Sequence, residues 1–275
     1  LVLGTGLALT LTGIKAAPPV ITQGAGPLVF TVDRNSSPVS WKTMDKTYGG
    51  SVIEQAASAL VTSDGGYLLT GFSASPYGGD KSQNTQGGDD YWIVKVGPYG
   101  NKNWDKTFGG NQADRATSAI RTNDGGYLIA GSSASPYSGD KSEASHGGND
   151  FWIVKLDSSG NKQWDKTFGG NQEETATSVV ASPDGGYLVA GYSTSGISGS
   201  KSQALIGGTD FWVIKINASG AKQWDKTYGG TLDDKAHSVV ATADGGYLIV
   251  GQSHSGIYGN KTQATQGQDD FWIVK

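Results

Sequence analysis

Cysteine is absent from this 275-residue sequence. Its absence excludes disulfides, thiolate metal sites, a thiol nucleophile and a lipid-bearing cysteine near the N-terminus. Arginine is scarce as well, since Arg34, Arg115 and Arg121 are the only three, and the formal net charge is −4. With few arginines and a negative net charge, the chain is expected to have no basic surface for nucleic acid or anionic lipid, so neither is an expected partner.

Charged residues as a group make up only 17% of the chain, whereas glycine (43 residues), tyrosine (12) and tryptophan (8) are frequent. This composition is typical of a turn-rich β-protein with aromatic packing, and not of a disordered chain. The length suits one or two domains, and a single all-β domain of this size is common. The expected fold class is all-β.

The N-terminus lacks an apolar run long enough for a transmembrane helix. Its opening "LVLGTGLALTLTGIKAAPP" has instead the apolar length of a signal-peptide core followed by small residues. We expect residues 1–17 to be a truncated signal-peptide-like leader, which implies a secreted or cell-surface protein, extracellular or periplasmic, without a stable membrane span after leader removal. Lys15 fits a cleavage site poorly, and an ordinary buried strand is the alternative. Residues 18–43 form an expected lead-in, with a possible ring-closing strand at 28–33.

The rest of the sequence repeats itself every sixty residues without a gap. Such a fixed period is the signature of a repeat architecture. The heptad "WDKTFGG" occurs twice, and "MDKTYGG" and "WDKTYGG" occupy the equivalent positions of the other copies. The last copy stops at "DFWIVK", where earlier copies continue, so a parent protein with more units is expected. The four units are 44–103, 104–163, 164–223 and 224–275.

Each unit carries the pattern of two β-hairpins. In the third unit, "ATSVVAS" and "YLVAGYS" are joined by "PDGG", in which Asp-Gly is a strong hairpin signal. The alternating run "DFWVIKIN" then turns through "ASGA" into "KQWDKTY". Four antiparallel strands per unit with no helical period indicate a β-propeller. The prediction is about four visible four-stranded blades, either a whole ring or a fragment of a larger one.

Residues 44–275 resemble the bacterial β-propeller repeat families called SBBP and delta-60. Units of these families join a D-x-[FW]-[IV]-x-[KR]-[LI]-[DN]-x-x-G strand-turn to a tryptophan strand ending in Gly-Gly and to a D-G-x-[YIL] hairpin. The corresponding segments are "NDFWIVKLDSSGNKQWDKTFGG" and "SPDGGYLVAGYS". The resemblance implies a secreted or surface propeller, in families mostly of undefined role, and it is unspecific for activity.

The Asp and Lys of the heptad could be a carboxylate and cation for acid–base catalysis. Their recurrence in every unit instead favours a structural hydrogen bond or ion pair between neighbouring blades. The heptad tryptophans are expected to pack between blades, with Met44 in their place where an end blade has less to pack against. The residues are Asp105, Lys106, Asp165, Lys166, Asp225 and Lys226, and Trp104, Trp164 and Trp224.

Recognised catalytic patterns are poorly matched. The "DGGY" turns partly resemble the sialidase Asp-box, but that box is a structural turn, and a sialidase needs an arginine triad. The run "IVKLDSSGNKQW" is similar to the tryptophan-docking repeat of quinone-dependent dehydrogenases and of outer-membrane assembly scaffolds. Of these two classes, the scaffolds match this sequence more easily. There is no G-x-S-x-G motif. His146, His237 and His254 fall at unrelated repeat positions, so none is a catalytic candidate.

No cofactor is expected, although calcium would suit the acidic, oxygen-rich loops. Candidate clusters include Asp89 with Asp90, Asn149 with Asp150, and Asp269 with Asp270. The calcium-loop pattern D-x-[DN]-x-[DN]-G is absent. The aspartate common to all copies is therefore expected to cap its own turn. It stands at Asp90, Asp150, Asp210 and Asp270.

Two stretches vary between copies: the turn after Gly-Gly and the long connections at 76–89, 136–149, 196–209 and 256–268. Loops on a rigid scaffold are common recognition sites, and Tyr77, Tyr137 and Tyr258 offer aromatic anchors, although solvent-exposed filler explains such loops equally well. We therefore expect a non-enzymatic binding or scaffold module for a protein or glycan. The alternatives are a carbohydrate-active hydrolase or lyase using Asp233 and Asp234, and a quinone- or calcium-binding propeller.

Overall fold

The computed structural model describes residues 44–275, which form strands, turns and loops. This part of the chain contains no helix, and so none that could cross a membrane. The predicted leader (1–17), lead-in (18–43) and closing strand (28–33) lie outside the described residues. The strands are β1 Glu54–Val61, β2 Tyr67–Ser73, β3 Asp90–Val96, β4 Lys102–Phe108, β5 Asp114–Arg121, β6 Tyr127–Ser133, β7 Asp150–Leu156, β8 Lys162–Phe168, β9 Glu174–Ala181, β10 Tyr187–Ser193, β11 Asp210–Ile216, β12 Lys222–Tyr228, β13 Asp234–Ala241, β14 Tyr247–Ser253 and β15 Asp270–Val274.

The strands form four antiparallel sheets in chain order. The first sheet is β1-β2-β3-β4, the second β5-β6-β7-β8, the third β9-β10-β11-β12, and the fourth, with three strands, β13-β14-β15. The prediction of an all-β chain with repeated antiparallel sheets is confirmed. The fourth sheet differs by one strand, because the sequence ends one residue after β15.

The hairpins follow the predicted turn chemistry. In the turn between β5 and β6, Gly125 has a φ of +82°, a conformation that glycine adopts readily and other residues rarely do. The preceding Asp124 accepts a 3.0 Å hydrogen bond from the backbone N of Gly126. Its carboxylate also pairs with Lys155 Nζ at 2.7 Å, which joins the turn to strand β7. The "DGG" signal therefore specifies both the bend and its attachment to the sheet.

Sheet boundaries are offset from the sequence units. Strand β4 contains the heptad of the second unit, yet it pairs with β3 of the first, placing Trp92 opposite Thr107 and Lys95 opposite Trp104. The same offset recurs at β7 with β8 and at β11 with β12. Every four-stranded sheet thus consists of three strands from one unit and one from the next, so the heptad links successive units covalently and by strand pairing.

Successive sheets pack face to face. The first strand of each later sheet lies against the first three strands of the sheet before it. An aromatic side chain in the third strand stacks at a tilt on the tryptophan of the next sheet, as Phe151 does on Trp212 with ring centroids 4.8 Å apart. A Cβ added to Gly191 would lie 2.8 Å from Phe151 Cζ, so the absence of a side chain there makes room for the ring. The interfaces between sheets form the hydrophobic core.

The predicted packing of the heptad tryptophans between sheets is confirmed for two of them. Trp104 packs into the core between the first and second sheets, with its ring centroid 6.4 Å from that of Tyr127. Trp164 packs in the same way one interface later. Trp224 is exposed. Met44, which replaces tryptophan in the first copy, is exposed as well.

The heptad aspartate is structural, but the prediction that it bonds between sheets is wrong. Asp105 Oδ2 accepts hydrogen bonds from Trp92 Nε1 at 3.1 Å and from the backbone N of Ser82 at 2.9 Å, and Lys102 Nζ lies 2.8 Å from Oδ1. All four residues belong to the first sheet and its loop. The side chain points to the face of its own sheet because β4 pairs with β3, which places it beside the indole. Asp165 and Asp225 repeat these contacts.

Candidate functional site

The two kinds of variable connection lie on the same side of the sheets, at the ends of the strands. This side, formed by the long loops 76–89, 136–149, 196–209 and 256–268 and by the Gly-Gly turns, is called the loop edge below. Long loops follow the second strand of each sheet and Gly-Gly turns follow the fourth, so an antiparallel meander brings both to the same side. They are also bonded to each other: the backbone N of Asp140 donates to Gly109 O at 2.8 Å, and that of Ser200 donates to Gly169 O at 2.8 Å. The structure thus brings together the two stretches that the sequence singled out.

A buried lysine anchors each long loop, which the sequence analysis missed. Lys141 Nζ donates to Thr167 Oγ1 at 3.0 Å and lies 5.3 Å from the centroid of the Trp152 ring. Burial lowers the pKa of Lys141 to about 8. The signal was available, because lysine recurs at this loop position in every copy. The equivalent residues are Lys81, Lys201 and Lys261, all buried.

Each loop exposes a large apolar side chain at the same repeat position. These four residues, called the tip row, are Tyr77, Tyr137, Ile197 and Ile257, which are 70%, 74%, 69% and 68% exposed. Tyr258, which the sequence singled out, is exposed beside Ile257 and lies one position further on. Sequence inspection selected aromatic residues and missed the two isoleucines, although a shift of sixty residues aligns all four.

The tip row stands on ordered loops. Tyr77 N donates to Asn84 Oδ1 at 2.8 Å, which ties the tip of the first loop to its own descending arm. In the third loop, Ser198 Oγ accepts from the backbone N of Asn171 at 3.0 Å, so the loop is held to the Gly-Gly turn beside it. The apolar side chains therefore project from loops that are attached by hydrogen bonds at several points.

Asp233 and Asp234, the acid–base candidates of the alternative function, face different environments. Asp234 is fully buried, and its Oδ2 accepts from Gly230 N at 2.7 Å and from Ser255 Oγ at 2.8 Å. Asp233 is partly exposed, with Oδ2 3.8 Å from Lys235 Nζ. Asp234 thus holds its own Gly-Gly turn. An acidic residue recurs at its repeat position, as Glu54, Asp114 and Glu174.

A shallow cavity of about 290 Å³ lies beside Asp233 at the loop edge. Its lining combines the Gly-Gly turn and the loop of the fourth sheet, including Thr231, Leu232 and His254. His254 Nδ1 lies 2.8 Å from Asp269 Oδ1, and His237 Nε2 lies 3.1 Å from Gln252 Oε1 on the neighbouring strand. These two histidines therefore contact different partners.

The aspartate common to all copies caps its own loop, as predicted. Asp150 Oδ2 accepts a 2.6 Å hydrogen bond from the backbone N of His146. Its Oδ1 is buried and has no hydrogen-bond partner within residues 44–275. Asp90, Asp210 and Asp270 make the same capping bond.

Each of the first three capping aspartates also neighbours an acidic residue of the following sheet. Burial and the neighbouring charge of Glu174 raise the pKa of Asp150 to about 7, even though Lys141 opposes the shift. Burial and the neighbouring charge of Asp114 raise the pKa of Asp90 to about 7. Burial and the neighbouring charge of Asp234 raise the pKa of Asp210 to about 6. The carboxyl pairs, as they are called below, are Asp90 with Asp114, Asp150 with Glu174, and Asp210 with Asp234.

Acidic groups at the loop edge do not assemble into larger clusters. Among residues 44–275, no three His, Asp or Glu side chains come together in a way that could hold a metal ion. The carboxyl pairs are buried between sheets and supply two side chains each. The loop edge presents the apolar side chains of the tip row.

Comparison with known proteins gives low similarities. In sequence the chain is 24% identical over 226 residues to the regulatory protein FlaEY of Caulobacter vibrioides, an alignment that covers 78% of this chain and 24% of that protein. The chain thus spans about a quarter of that relative. In structure it is similar to a protein of unknown function from Bacteroides caccae, with a TM-score of 0.38 and 13% identity, covering 71% of this chain and 53% of that one. No family model matches the sequence.

Proposed function

We propose that this protein is a non-enzymatic binding or scaffold module that recognises a protein or a glycan through its loop edge. The tip row is the observation that carries the proposal. Four large apolar side chains are exposed at one repeat position on successive loops, so one partner could contact several of them. Aromatic and aliphatic anchors projecting from held loops are typical of interaction surfaces.

The finer architecture and the location belong to the same proposal. Face-to-face packing of repeated four-stranded meanders supports assigning the sheets as blades of a β-propeller. The leader-like start of the sequence supports secretion or display at the cell surface. In that setting the tip row would form a ridge across neighbouring blades, where one partner could contact several loops at once.

Removal of the ridge tests the proposal. The variant Tyr77→Ser, Tyr137→Ser, Ile197→Ser and Ile257→Ser deletes the tip row without touching the strands. A matched control changes exposed apolar residues at the opposite edge, Val61→Ser, Tyr99→Ser and Val240→Ser. Both proteins and the parent would be applied to a defined glycan array and to an array of peptides from bacterial envelope proteins.

We expect the parent and the control to share specific binding signals that the tip-row variant loses by at least about tenfold, because hot-spot residues carry most of the binding energy. Far-UV circular dichroism and thermal melting would verify that all three proteins fold. The proposal is wrong if the tip-row variant binds as the parent does, or if the parent binds neither array. Turnover of an arrayed glycan would favour the hydrolase alternative.

A further inference from the structure

Long loops and Gly-Gly turns meet at three places along the loop edge, called loop junctions below. Each loop junction consists of the end of one long loop, the Gly-Gly turn that follows the same sheet, and the tip of the next long loop. In the second loop junction, Gly148 N donates to Gln172 O at 2.8 Å and Asn171 N donates to Ser198 Oγ at 3.0 Å. Equivalent positions of successive loop junctions are sixty residues apart.

The third loop junction differs from the other two at four positions, where polar residues are replaced by large apolar ones. The polar residues are Thr85, Gln86, Gln112 and Ser138 at the first loop junction, and Ser145, His146, Gln172 and Ser198 at the second. The third has Leu205, Ile206, Leu232 and Tyr258, which are called the junction patch below. Because two loop junctions form with polar residues at these positions, the fold does not require the apolar ones.

The junction patch is an exposed surface made by both of its loops. Leu232 and Tyr258 are 53% and 58% exposed. A Cβ added to Gly259 would lie 2.7 Å from Ile206 Cγ2, so Ile206 contacts the fourth loop next to Tyr258. Leu232 N donates to Ser255 Oγ at 3.0 Å, which attaches the turn to the same loop. Side chains from two sheets therefore share one apolar surface.

This exposure belongs to the repeat position. Gln112 and Gln172, the equivalents of Leu232, are exposed as well, and a further sheet follows each of the three. Ser198 bonds to the Gly-Gly turn of the sheet before it, so Tyr258 at the equivalent position lies beside the turn of the third sheet. The third loop junction lies wholly between the third and fourth sheets.

Carboxylates flank the third loop on both sides. Asp233 lines the cavity of about 290 Å³ together with Leu232. Its Oδ2 lies 3.8 Å from Lys235 Nζ, a separation too long for a hydrogen bond. On the other side of the loop, Glu173 is exposed, and its backbone N donates to Thr194 Oγ1 at 3.1 Å. A cation that approaches the junction patch would therefore meet negative charge.

The composition of the junction patch favours a protein over a glycan. Sugar hydroxyls that are buried against leucine and isoleucine lose hydrogen bonds to water without gaining others, which costs free energy. The third loop junction lacks the glutamine, histidine, serine and threonine side chains that could bond to such hydroxyls and that the other loop junctions have. An apolar side chain of a protein gains from the same contact.

We propose that the junction patch docks a protein segment in which a large apolar side chain stands next to a lysine or arginine. The inference rests on the proposed function, because the junction patch is part of the loop edge, and it specifies the class of partner and the place of contact. The apolar side chain occupies the cavity beside Leu232, between the turn and Tyr258. The cation lies near Asp233, since complementary charge orients a partner.

Peptide selection on the intact protein tests the class of partner. The probe is a random peptide library displayed on phage, and fluorescence anisotropy of one enriched, synthetic peptide gives its Kd. We expect the enriched peptides to share a large apolar residue next to lysine or arginine. Replacement of that basic residue by glutamate should weaken binding at least about tenfold, because like charges would then face each other.

The place of contact is tested with residues that the protein already uses elsewhere. The double variant Leu232→Gln and Tyr258→Ser installs the side chains of the second loop junction, so the fold tolerates them. We expect it to bind the peptide at least about tenfold more weakly, because few residues carry most of the binding energy. Gln112→Ala, at the position equivalent to Leu232 in the first loop junction, is the matched control and should bind as the parent does.

The converse variant transfers the junction patch to the second loop junction. Its substitutions are Ser145→Leu, His146→Ile, Gln172→Leu and Ser198→Tyr. Glu173 already stands where the third loop junction has Asp233. Isothermal titration calorimetry should show a doubled stoichiometry, and thermal melting would verify that the variant folds. An unchanged stoichiometry in the folded variant contradicts the proposal.

The remaining outcomes separate this inference from the proposed function. Peptide binding that persists in the double variant overturns the inference and leaves a binding module with another contact site. Binding of the parent to a glycan array and to no peptide has the same meaning. A parent protein that binds neither peptides nor glycans contradicts both proposals.

Discussion

The indole Nε1 of Trp152 donates a 3.0 Å hydrogen bond to the buried carboxylate of Asp165. The bond joins the third strand of the second sheet to its fourth. The same carboxylate accepts from the backbone N of Ser142 at 2.9 Å and pairs with Lys162 Nζ at 2.7 Å. One side chain therefore connects two strands and the long loop, which explains the aspartate of the heptads at 105, 165 and 225.

Loss of this carboxylate should destabilise the protein strongly. We expect Asp165→Ala to lower the free energy of unfolding by about 3–5 kcal/mol, because it leaves a buried indole donor and a lysine without their partner. The measurement is urea denaturation followed by tryptophan fluorescence. Asp233→Ala, at a partly exposed position, should change stability by less than about 0.5 kcal/mol. Similar losses in both variants would contradict this account.

The carboxyl pairs should make stability depend on pH. The pKa of Asp150 is about 7 in the folded protein and about 4 in an unfolded chain, so the folded state binds more protons between these values. Its contribution to stability is complete below about pH 4 and is lost as the pH rises through about 7.

The substitution Asp150→Asn should remove that dependence at one pair. The amide keeps an acceptor for His146 N and has no charge to repel Glu174. We expect the variant to exceed the parent in stability by about 1 kcal/mol at pH 8, with the difference shrinking towards pH 5. Thermal melts across this range would measure it. A difference that grows as the pH falls would have the wrong sign.

Glycine in the second strand of a sheet should be required where an aromatic ring from the preceding sheet reaches it. A Cβ on Gly191 would meet the carbonyl O of Thr175 as well as the ring of Phe151. We expect Gly191→Ala to lower the melting temperature by about 4–12 °C, which corresponds to a loss of about 2–3 kcal/mol. Gly196→Ala is the control, since nothing lies within 4 Å of a Cβ there.

Phenylalanines at the same repeat position should contribute differently to stability, depending on whether another sheet packs against the ring. Phe151→Ala removes a ring buried between the second and third sheets and should cost about 3–5 kcal/mol. Phe271→Ala affects a fully exposed ring and should change stability by less than about 0.5 kcal/mol. Denaturant titrations of the two variants compare them directly. Equal effects would mean that Phe271 is covered in the single chain.

The repeat length, the two hairpins per unit and the turn residues could be predicted from the sequence because each rests on local chemistry. Asp-Gly-Gly fixes a bend, and alternating apolar residues fix a strand. The partners of the heptad aspartate could not be predicted, because they depend on which strand β4 pairs with. The sequence unit begins at Met44, whereas the first sheet begins at Glu54, and this offset reassigns the heptad to the preceding sheet.

The site was predicted in outline only. The loop positions are correct because variable, glycine-rich stretches favour loops, and the structure brings both kinds to one edge. Tyr137 was predicted as a binding residue because it is aromatic. Ile197 stands at the same repeat position and is equally exposed, but it was not predicted because it is aliphatic. The carboxyl pairs escaped notice because Asp150 and Glu174 are far apart in repeat position and meet only when two sheets pack.

The offset between sheets and sequence units has a consequence for how such a chain can change in length. Removal of one whole repeat, such as residues 104–163, would fuse β3 to the "WDKTF" of the following copy, which has the residues that β3 already pairs with. The new junction would be chemically the same as the old one, and the sheets on either side would present the surfaces they present now. Recombination between the nearly identical heptads could therefore add or delete units without creating a strand pairing that the protein does not already contain.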